Sequence, residues 1–339
     1  MDFSSDTSAP AHPAVLAALS EANAGNTSSY GNDGLTKALE TTLKALFETD
    51  DLIIWPTASG TAANALALSC ICPSTHSILC HADAHIEQDE RGAPEFFTGG
   101  AKLQLMDGEN GKIAPDDLQA ALETVDEDFV HAVPPAVLSL TNLTEWGTVY
   151  TPGEIAALAG LARQKELKVH LDGARFANAL ATLDATPAEL SWKSGVDVLT
   201  LGLTKTGAMG CEIIVFFSPP PDTGRALAAR AKRSGHMPPK LRYVSAQGLA
   251  LLKDGLWLDL ARHANAMAKR FSERLLEQPG ATLITPVEGN EIFATLPDDL
   301  AARMSEAGWS FYPWPGGGYR FVCAWSTRPE DIEAAFNAL

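Results

Sequence analysis

The sequence predicts an α/β protein, with a mostly parallel sheet in a large domain followed by a smaller C-terminal α+β domain. Three observations carry this reading. Short apolar runs alternate with segments of helical period from residue 35 to residue 201, the pattern of strands joined by crossover helices. Only residues 202–210 separate two of these runs; a parallel crossover needs about a dozen or more, so one strand is expected to run antiparallel. After Pro219-Pro220-Pro221 the pattern changes to long helices and then three further strand-like runs.

The elements follow in order. Leu35, Leu39, Leu43 and Leu46 recur at helical spacing, and the apolar run Leu52–Trp55 reads as a strand. Ala62–Ile71 is helical, Ser77–His81 and Lys102–Leu105 are strands, and Pro115–Glu123 is a helix with proline in its first turn. Ala136–Leu140, Leu167–Leu171, Val196–Leu201 and Cys211–Phe217 complete the large sheet, with a helix at Glu154–Glu166. Beyond it come a helix at Gly224–Arg233 and a nearly continuous helical stretch from Lys240 to Glu277. Strands at Ala281–Ile284, Glu291–Leu296 and Tyr319–Trp325 close the chain, with a glycine turn at Gly316-Gly317-Gly318. The organisation expected is an N-terminal segment 1–30, a large domain 31–239 and a small domain 240–339.

The 339 residues carry 25 Lys+Arg against 42 Asp+Glu, a net charge of −17. Such a field repels phosphate backbones and anionic membranes, so neither nucleic acid nor membrane is expected as a partner, and a small molecule is. The first residues lack a basic stretch followed by an apolar core, and no run approaches the ~18 apolar residues of a membrane span. Five cysteines, mostly among apolar neighbours, suit reduced, buried thiols and a cytoplasmic location.

Ligands gather at the carboxyl ends of strands in an open α/β sheet, and three polar sites follow apolar runs here. Ser59-Gly60-Thr61 follows the first strand and opens a helix. It is either an ordinary N-cap or an anion cradle. It is neither a Walker loop nor a dinucleotide fingerprint. His170-Leu-Asp172-Gly-Ala-Arg175 ends a strand on a carboxylate, and Thr204-Lys205 follows the next strand. Alone, each would read as a turn or a solvated charge. Together, a strand-end lysine, a strand-end aspartate and a small-residue cradle are what pyridoxal 5'-phosphate needs: an amine, a partner for the pyridinium nitrogen and a phosphate site.

At these residues the sequence resembles the low-specificity threonine aldolases. Ser4-Ser5-Asp6-Thr7, Ser59-Gly60-Thr61, His85-Ile86 with Glu90, His170-Leu-Asp172-Gly-Ala-Arg175 and Thr204-Lys205 carry the resemblance over nearly the whole chain. It implies a pyridoxal-phosphate enzyme of the aspartate-aminotransferase fold (fold type I). By the same resemblance, Lys205 bonds the cofactor, Asp172 meets the ring nitrogen, and Arg175 takes the ring hydroxyl or the substrate carboxylate. Gly60 and Thr61, with Ser59, hold the phosphate. His85 stacks on the ring and is a candidate base for the β-hydroxyl. Ser5 and Arg320 take the substrate carboxylate. The activity implied is a retro-aldol lyase that splits threonine, allo-threonine or phenylserine into glycine and an aldehyde. The enzyme is expected to be a homo-oligomer, a dimer or tetramer, with its site near a subunit interface. The alternatives are β-elimination or transamination on the same cofactor, or a non-catalytic amino-acid-binding relative.

Two departures stand out. Many family members have Glu-Asn-Thr-His where this chain has Thr141-Asn-Leu-Thr144, so a second histidine is missing. Gly202-Leu203 replaces Gly-Gly before Thr-Lys. Both changes resemble a bacterial subgroup that includes phenylserine aldolases. Cys70, Cys72, His76, Cys80, His81 and His85 crowd one stretch, but their spacing fits no usual zinc pattern, and no metal is expected. His12, His131 and His263 have packing or surface readings. Tyr30-Gly-Asn32-Asp33 resembles a family segment at the subunit boundary, and His236, Lys240 and Arg242 form a cationic cluster.

Overall fold

Seven strands form the large sheet of this computed structural model, which describes every residue except 126–128, 184 and 316. They are β1 (Leu52–Thr57), β2 (Ser77–His81), β3 (Lys102–Met106), β4 (Pro135–Thr141), β5 (Lys168–Gly173), β6 (Val198–Gly202) and β7 (Glu212–Phe217). Their order is β1-β7-β6-β5-β4-β2-β3. From β6 to β3 every neighbouring pair is parallel, and β7 runs antiparallel to both β6 and β1. The nine-residue connection from β6 therefore makes the reversal its length demands. All residues of β2, β6 and β7 are buried, because helices cover both faces of the sheet. Pro56 sits in β1, at the sheet edge, where a missing N–H is tolerated.

The helix Gly60–Ile71 crosses one face with Ala63, Leu66 and Ala67 against Val198, Ile214 and Phe216. The opposite face is covered by Leu39, Leu43 and Phe47 together with Phe176 and Trp257. Leu241, Val244, Leu251 and Ala261 belong to this same large core. A second core gathers Phe3, Phe271, Trp309, Phe321 and Phe336 beside an antiparallel sheet. That sheet comprises β8 (Thr282–Leu283), β9 (Glu291–Thr295), β10 (Tyr312–Pro313) and β11 (Tyr319–Val322), in the order β10-β11-β9-β8.

The first twelve residues tie the two sheets together. Phe3 donates its N–H to Ser310 O (2.9 Å) and accepts from Val322 N (2.8 Å), and His12 N then donates to Gly207 O (2.8 Å). Among the described residues no helix is long and apolar enough to cross a membrane.

Three expectations are corrected. The stretch Lys240–Glu277 is two helices, Arg242–Leu252 and Leu256–Leu276. Asp254 and Gly255 have φ of 53° and 75° between them, and this left-handed turn overrides the continuous apolar period. The strand expected at Tyr319–Trp325 ends at Val322, where Cys323 N turns to Asn290 O. The strand at Ala281–Ile284 shrinks to two residues. In the expected glycine turn, Gly316 lies outside the described residues, and Gly317 and Gly318 both have positive φ.

Candidate active site

A cavity of about 290 Å³ opens where β1, β4, β5 and β6 end, the place where an open α/β sheet collects ligands. Ser59, Gly60, Thr61, His85, Asp172, Arg175 and Lys205 all line it.

Lys205 stands on the tight turn between β6 and β7. Leu203 N donates to Cys211 O (3.1 Å) and Ala208 N to Leu203 O (3.0 Å), and Gln247 Oε1 accepts from Met209 N and Gly210 N (2.9 and 3.0 Å). Gly207 has φ of 115°, and a Cβ there would come within 3.2 Å of His12 Cβ. Only glycine fits both constraints. Gly202 is held to glycine by Ala174, whose backbone would lie 2.6 Å from an added Cβ, whereas Leu203 is simply buried in the core.

Asp172 ends β5. Its Oδ1 accepts from Ala174 N (2.9 Å) and its Oδ2 from Asn64 Nδ2 (2.7 Å). Gly173 follows because an added Cβ would lie 2.7 Å from Thr200 O. The Asn64 amide also donates to Glu90 Oε1 (2.9 Å), which is bonded in turn to His85 Nδ1 (2.9 Å). Asp172, Asn64, Glu90 and His85 thus form one chain of hydrogen bonds. Burial works against a charge on His85, but the Glu90 bond and the Asp172 charge outweigh it and hold the imidazole above its usual value. His85, Glu90 and Asp172 are also the one cluster of three metal-ligand types among the described residues. The cysteines and histidines of residues 70–81 do not converge.

Pyridoxal phosphate fits this cavity on three grounds. Ser59 Oγ caps the helix Gly60–Ile71 by accepting from Ala62 N, so the first-turn N–H groups face outward without carbonyl partners. The space beside Gly60 is open. Asn64 Oδ1, Glu90 Oε2, Glu145 Oε2 and Glu212 Oε2 are buried without partners around the cavity, as in a site made for a polar occupant.

Ser5 and Arg320 are not in the lining but stand beside it. Ser5 Oγ pairs with Thr7 Oγ1 (2.8 Å), and Thr7 reaches the cavity. Arg175 forms a fork to Asp6, with Nε to Oδ2 at 2.8 Å and Nη2 to Oδ1 at 3.0 Å, and its Nη1 is 3.2 Å from Glu291 Oε2. Arg320 is held more loosely. Its Nη1 is 3.9 Å from Glu291 Oε1, its Nη2 donates to Ser4 O, and its Nε is buried without a partner. Burial raises the Glu291 carboxyl above its usual value, against the pull of both guanidiniums. For Asp6 those opposing forces balance the other way: burial is outweighed by Arg175 and Lys205, and its value is lowered. Tyr30, His236, Lys240 and Arg242 lie outside the lining.

Sequence reasoning passed over Asn64, Glu212 and the carboxyl of Glu145. Glu212 begins β7, and burial pushes it up to about 7, with Thr204 and Lys205 opposing. Burial likewise raises Glu145 to about 7, opposed by the His85 N–H and reinforced by Asp172. For Glu145 and Glu212 the only available signal was position, since one follows and the other begins an apolar run at the cavity end of the sheet; Asn64, inside the helix Gly60–Ile71, gave none.

A family model described as beta-eliminating lyase matches residues 2–298. The low specificity L-threonine aldolase of Pseudomonas aeruginosa is 42% identical over 97% of this chain and 94% of its own. That of another Pseudomonas strain is 41% identical over 99% and 97%. A solved threonine aldolase of Leishmania major superposes with a TM-score of 0.90 at 26% identity, covering 99% of this chain and 97% of that one. Aspartate aminotransferase of Thermus thermophilus shares the fold, with a TM-score of 0.71 at 17% identity over 99% and 89%.

Proposed function

We propose, from the premise that this chain belongs to the beta-eliminating lyase family, that it is a pyridoxal-phosphate-dependent carbon–carbon lyase acting on L-3-hydroxy amino acids. It splits threonine, allo-threonine or phenylserine into glycine and an aldehyde. The single observation that supports this reading is the meeting of Lys205, Asp172 and the N-terminus of helix Gly60–Ile71 in one cavity. When bound, pyridoxal phosphate supplies the sink for the electron pair freed as the Cα–Cβ bond opens.

The chain's own groups do the rest. Lys205 Nζ would be the amine that holds the cofactor's aldehyde, since it lines the cavity together with Asp172. Asp172, fixed by Asn64 and by Ala174 N, keeps a proton on the ring nitrogen. Ser59, Gly60 and Thr61 hold the phosphate with backbone N–H groups and hydroxyls. His85, oriented by Glu90, would cover the ring on the side of the β-hydroxyl. Arg320 is the freer of the two forks near the site, so it takes the substrate carboxylate with Ser5, while Arg175 spends most of its donors on Asp6 and Glu291. Holding the carboxylate would fix how the substrate's Cα is presented to the cofactor, and so which of its bonds opens.

The rest of the reading is a homo-oligomer, dimer or tetramer, with the cavity near an interface. Exposed Phe96 and Met209, the latter on the lysine turn, support it. Five free cysteines suit a reducing compartment such as the cytoplasm. The test is direct. The purified protein should be yellow with cofactor and should release aldehyde and glycine from phenylserine or threonine. Lys205→Ala should lose the visible absorbance and at least about 10³-fold in turnover. A variant that keeps both would remove the assignment.

A further inference from the structure

On the aldolase reading, the β-hydroxyl must give up its proton inside the cavity as the aldehyde forms. Two titratable groups lie close together on that side. One is the His85 imidazole, whose Nδ1 is bound to Glu90 and whose charge is favoured by Glu90 and Asp172. The other is Glu145, three residues beyond Asn142 on the turn after β4. Its Oε1 accepts from His85 N at 2.8 Å, and its Oε2 is shut off from solvent without a partner. The His85 N–H anchors one oxygen, the Thr141 hydroxyl stands beside the carboxyl and favours its charge, and Oε2 is left for an occupant of the cavity that both residues line.

We propose that Glu145 is a catalytic residue of this site, the group whose Oε2 receives the proton of the substrate's β-hydroxyl. The neighbouring position shows why a carboxylate has this task. Thr144 stands where many threonine aldolases have a histidine, and it is fully buried. Its hydroxyl bonds Thr148 Oγ1 (2.8 Å) and Asn110 O (3.1 Å), and accepts from Thr148 N and Trp146 N. A Cβ on Gly111 would lie 3.0 Å from Thr144 Cβ, so the turn packs closely on that side, and the Thr144 hydroxyl is spent on its neighbours although the residue lines the cavity. Glu145 supplies the acceptor one residue later.

The electrostatic surroundings suit the role. Burial raises Glu145 to about 7; the His85 N–H opposes the rise and the Asp172 charge adds to it. Arg175, Cys80 and Tyr150 are the other titratable groups that feel its charge. A base with a value near the working pH is well matched to proton transfer. In the step itself, the O–H bond breaks and its proton passes to Glu145. The oxygen's electron pair forms the aldehyde C=O, the Cα–Cβ bond breaks, and the glycine fragment later takes one proton at Cα.

The experiment compares wild type with Glu145→Gln, and with Glu145→Asp as the conservative variant. Glu145→Gln should lose about 10²-fold or more in kcat for phenylserine and threonine cleavage, and should lose the rise of kcat/KM with pH through about 7. It should keep its visible cofactor absorbance and the exchange of the glycine Cα proton with deuterium, which needs no hydroxyl acceptor. Glu145→Asp should recover part of the cleavage. In the cofactor-free protein, infrared difference spectra between about pH 5 and about pH 9 should contain a carboxylic-acid band that Glu145→Gln removes. Unchanged cleavage in Glu145→Gln would overturn the proposal, as would parallel loss of cleavage, exchange and cofactor absorbance, the mark of a structural role. A wild type that exchanges glycine but releases no aldehyde would overturn the aldolase reading instead, and this inference with it.

Discussion

Asn64 sits in a helix of otherwise small and apolar residues, yet it joins two carboxylates through one amide nitrogen, at 2.9 Å from Glu90 and 2.7 Å from Asp172. Without it, Glu90 and Asp172 would share an enclosed space with nothing between them, each short of a donor. Leaving such a buried acceptor unsatisfied costs about 1–3 kcal/mol. Asn64→Ala should therefore lower the thermal midpoint, and the fall should be larger with cofactor bound than without it, since Asp172 is then less firmly aimed at the ring nitrogen. Equal falls in both states would show that the amide serves folding alone. Asn64 is also a measure of what sequence can reveal. Asp172 and Lys205 were legible because each follows an apolar run, where a strand end is expected. Asn64, Glu90 and Asp172 come together only when helix Gly60–Ile71 is laid across the sheet, and no spacing along the chain encodes that.

The turn between β6 and β7 shows how an element positions chemistry. Nine residues are too few for a parallel return, so the chain doubles back on itself and presents Lys205 at the reversal. Gly207 completes the turn at φ of 115°, with its carbonyl accepting from His12 N (2.8 Å). An alanine there meets both a forbidden backbone region, at about 1–3 kcal/mol, and the His12 Cβ at 3.2 Å. Gly207→Ala should weaken cofactor binding in an absorbance titration and lower the thermal midpoint. Gly25→Ala is the control. Its φ is 68° and its Cβ would meet nothing within 4 Å, so it should leave cofactor binding unchanged. The elements that apolar runs marked, β1 to β7, appear within a few residues of their expected places. Those that escaped notice carry weaker patterns: Phe176–Thr182 is only seven residues long, and in Pro13–Ala22 alanine takes four of the ten positions and blurs the apolar period. The break at Asp254-Gly255 was legible as a turn signal, but the apolar period on either side concealed it.

At the scale of the whole molecule, stability must bear the cost of acids kept inside a protein of net charge −17. Glu212 is 5% exposed, and burial pushes it up to about 7 from an ordinary 4.5. Its folded value is raised, so the native state binds its proton more tightly than the unfolded chain does. The stability this gives is fully present below about 4.5 and is lost as pH rises through about 7. A glutamine at the same place has no such dependence. The stability of Glu212→Gln relative to wild type should therefore grow as pH rises from about 4.5 to about 7 and then level off. The full change should be of the order of 3 kcal/mol. Glu145 adds the same trend, and His170, lowered to about 4 by burial, adds the opposite one. Both act equally in wild type and variant, so they cancel in the difference. Urea midpoints of the two cofactor-free proteins, measured across this range, supply the test. A difference that stays flat with pH would mean that Glu212 has the same value folded and unfolded, the pull of Thr204 and Lys205 then cancelling the effect of burial.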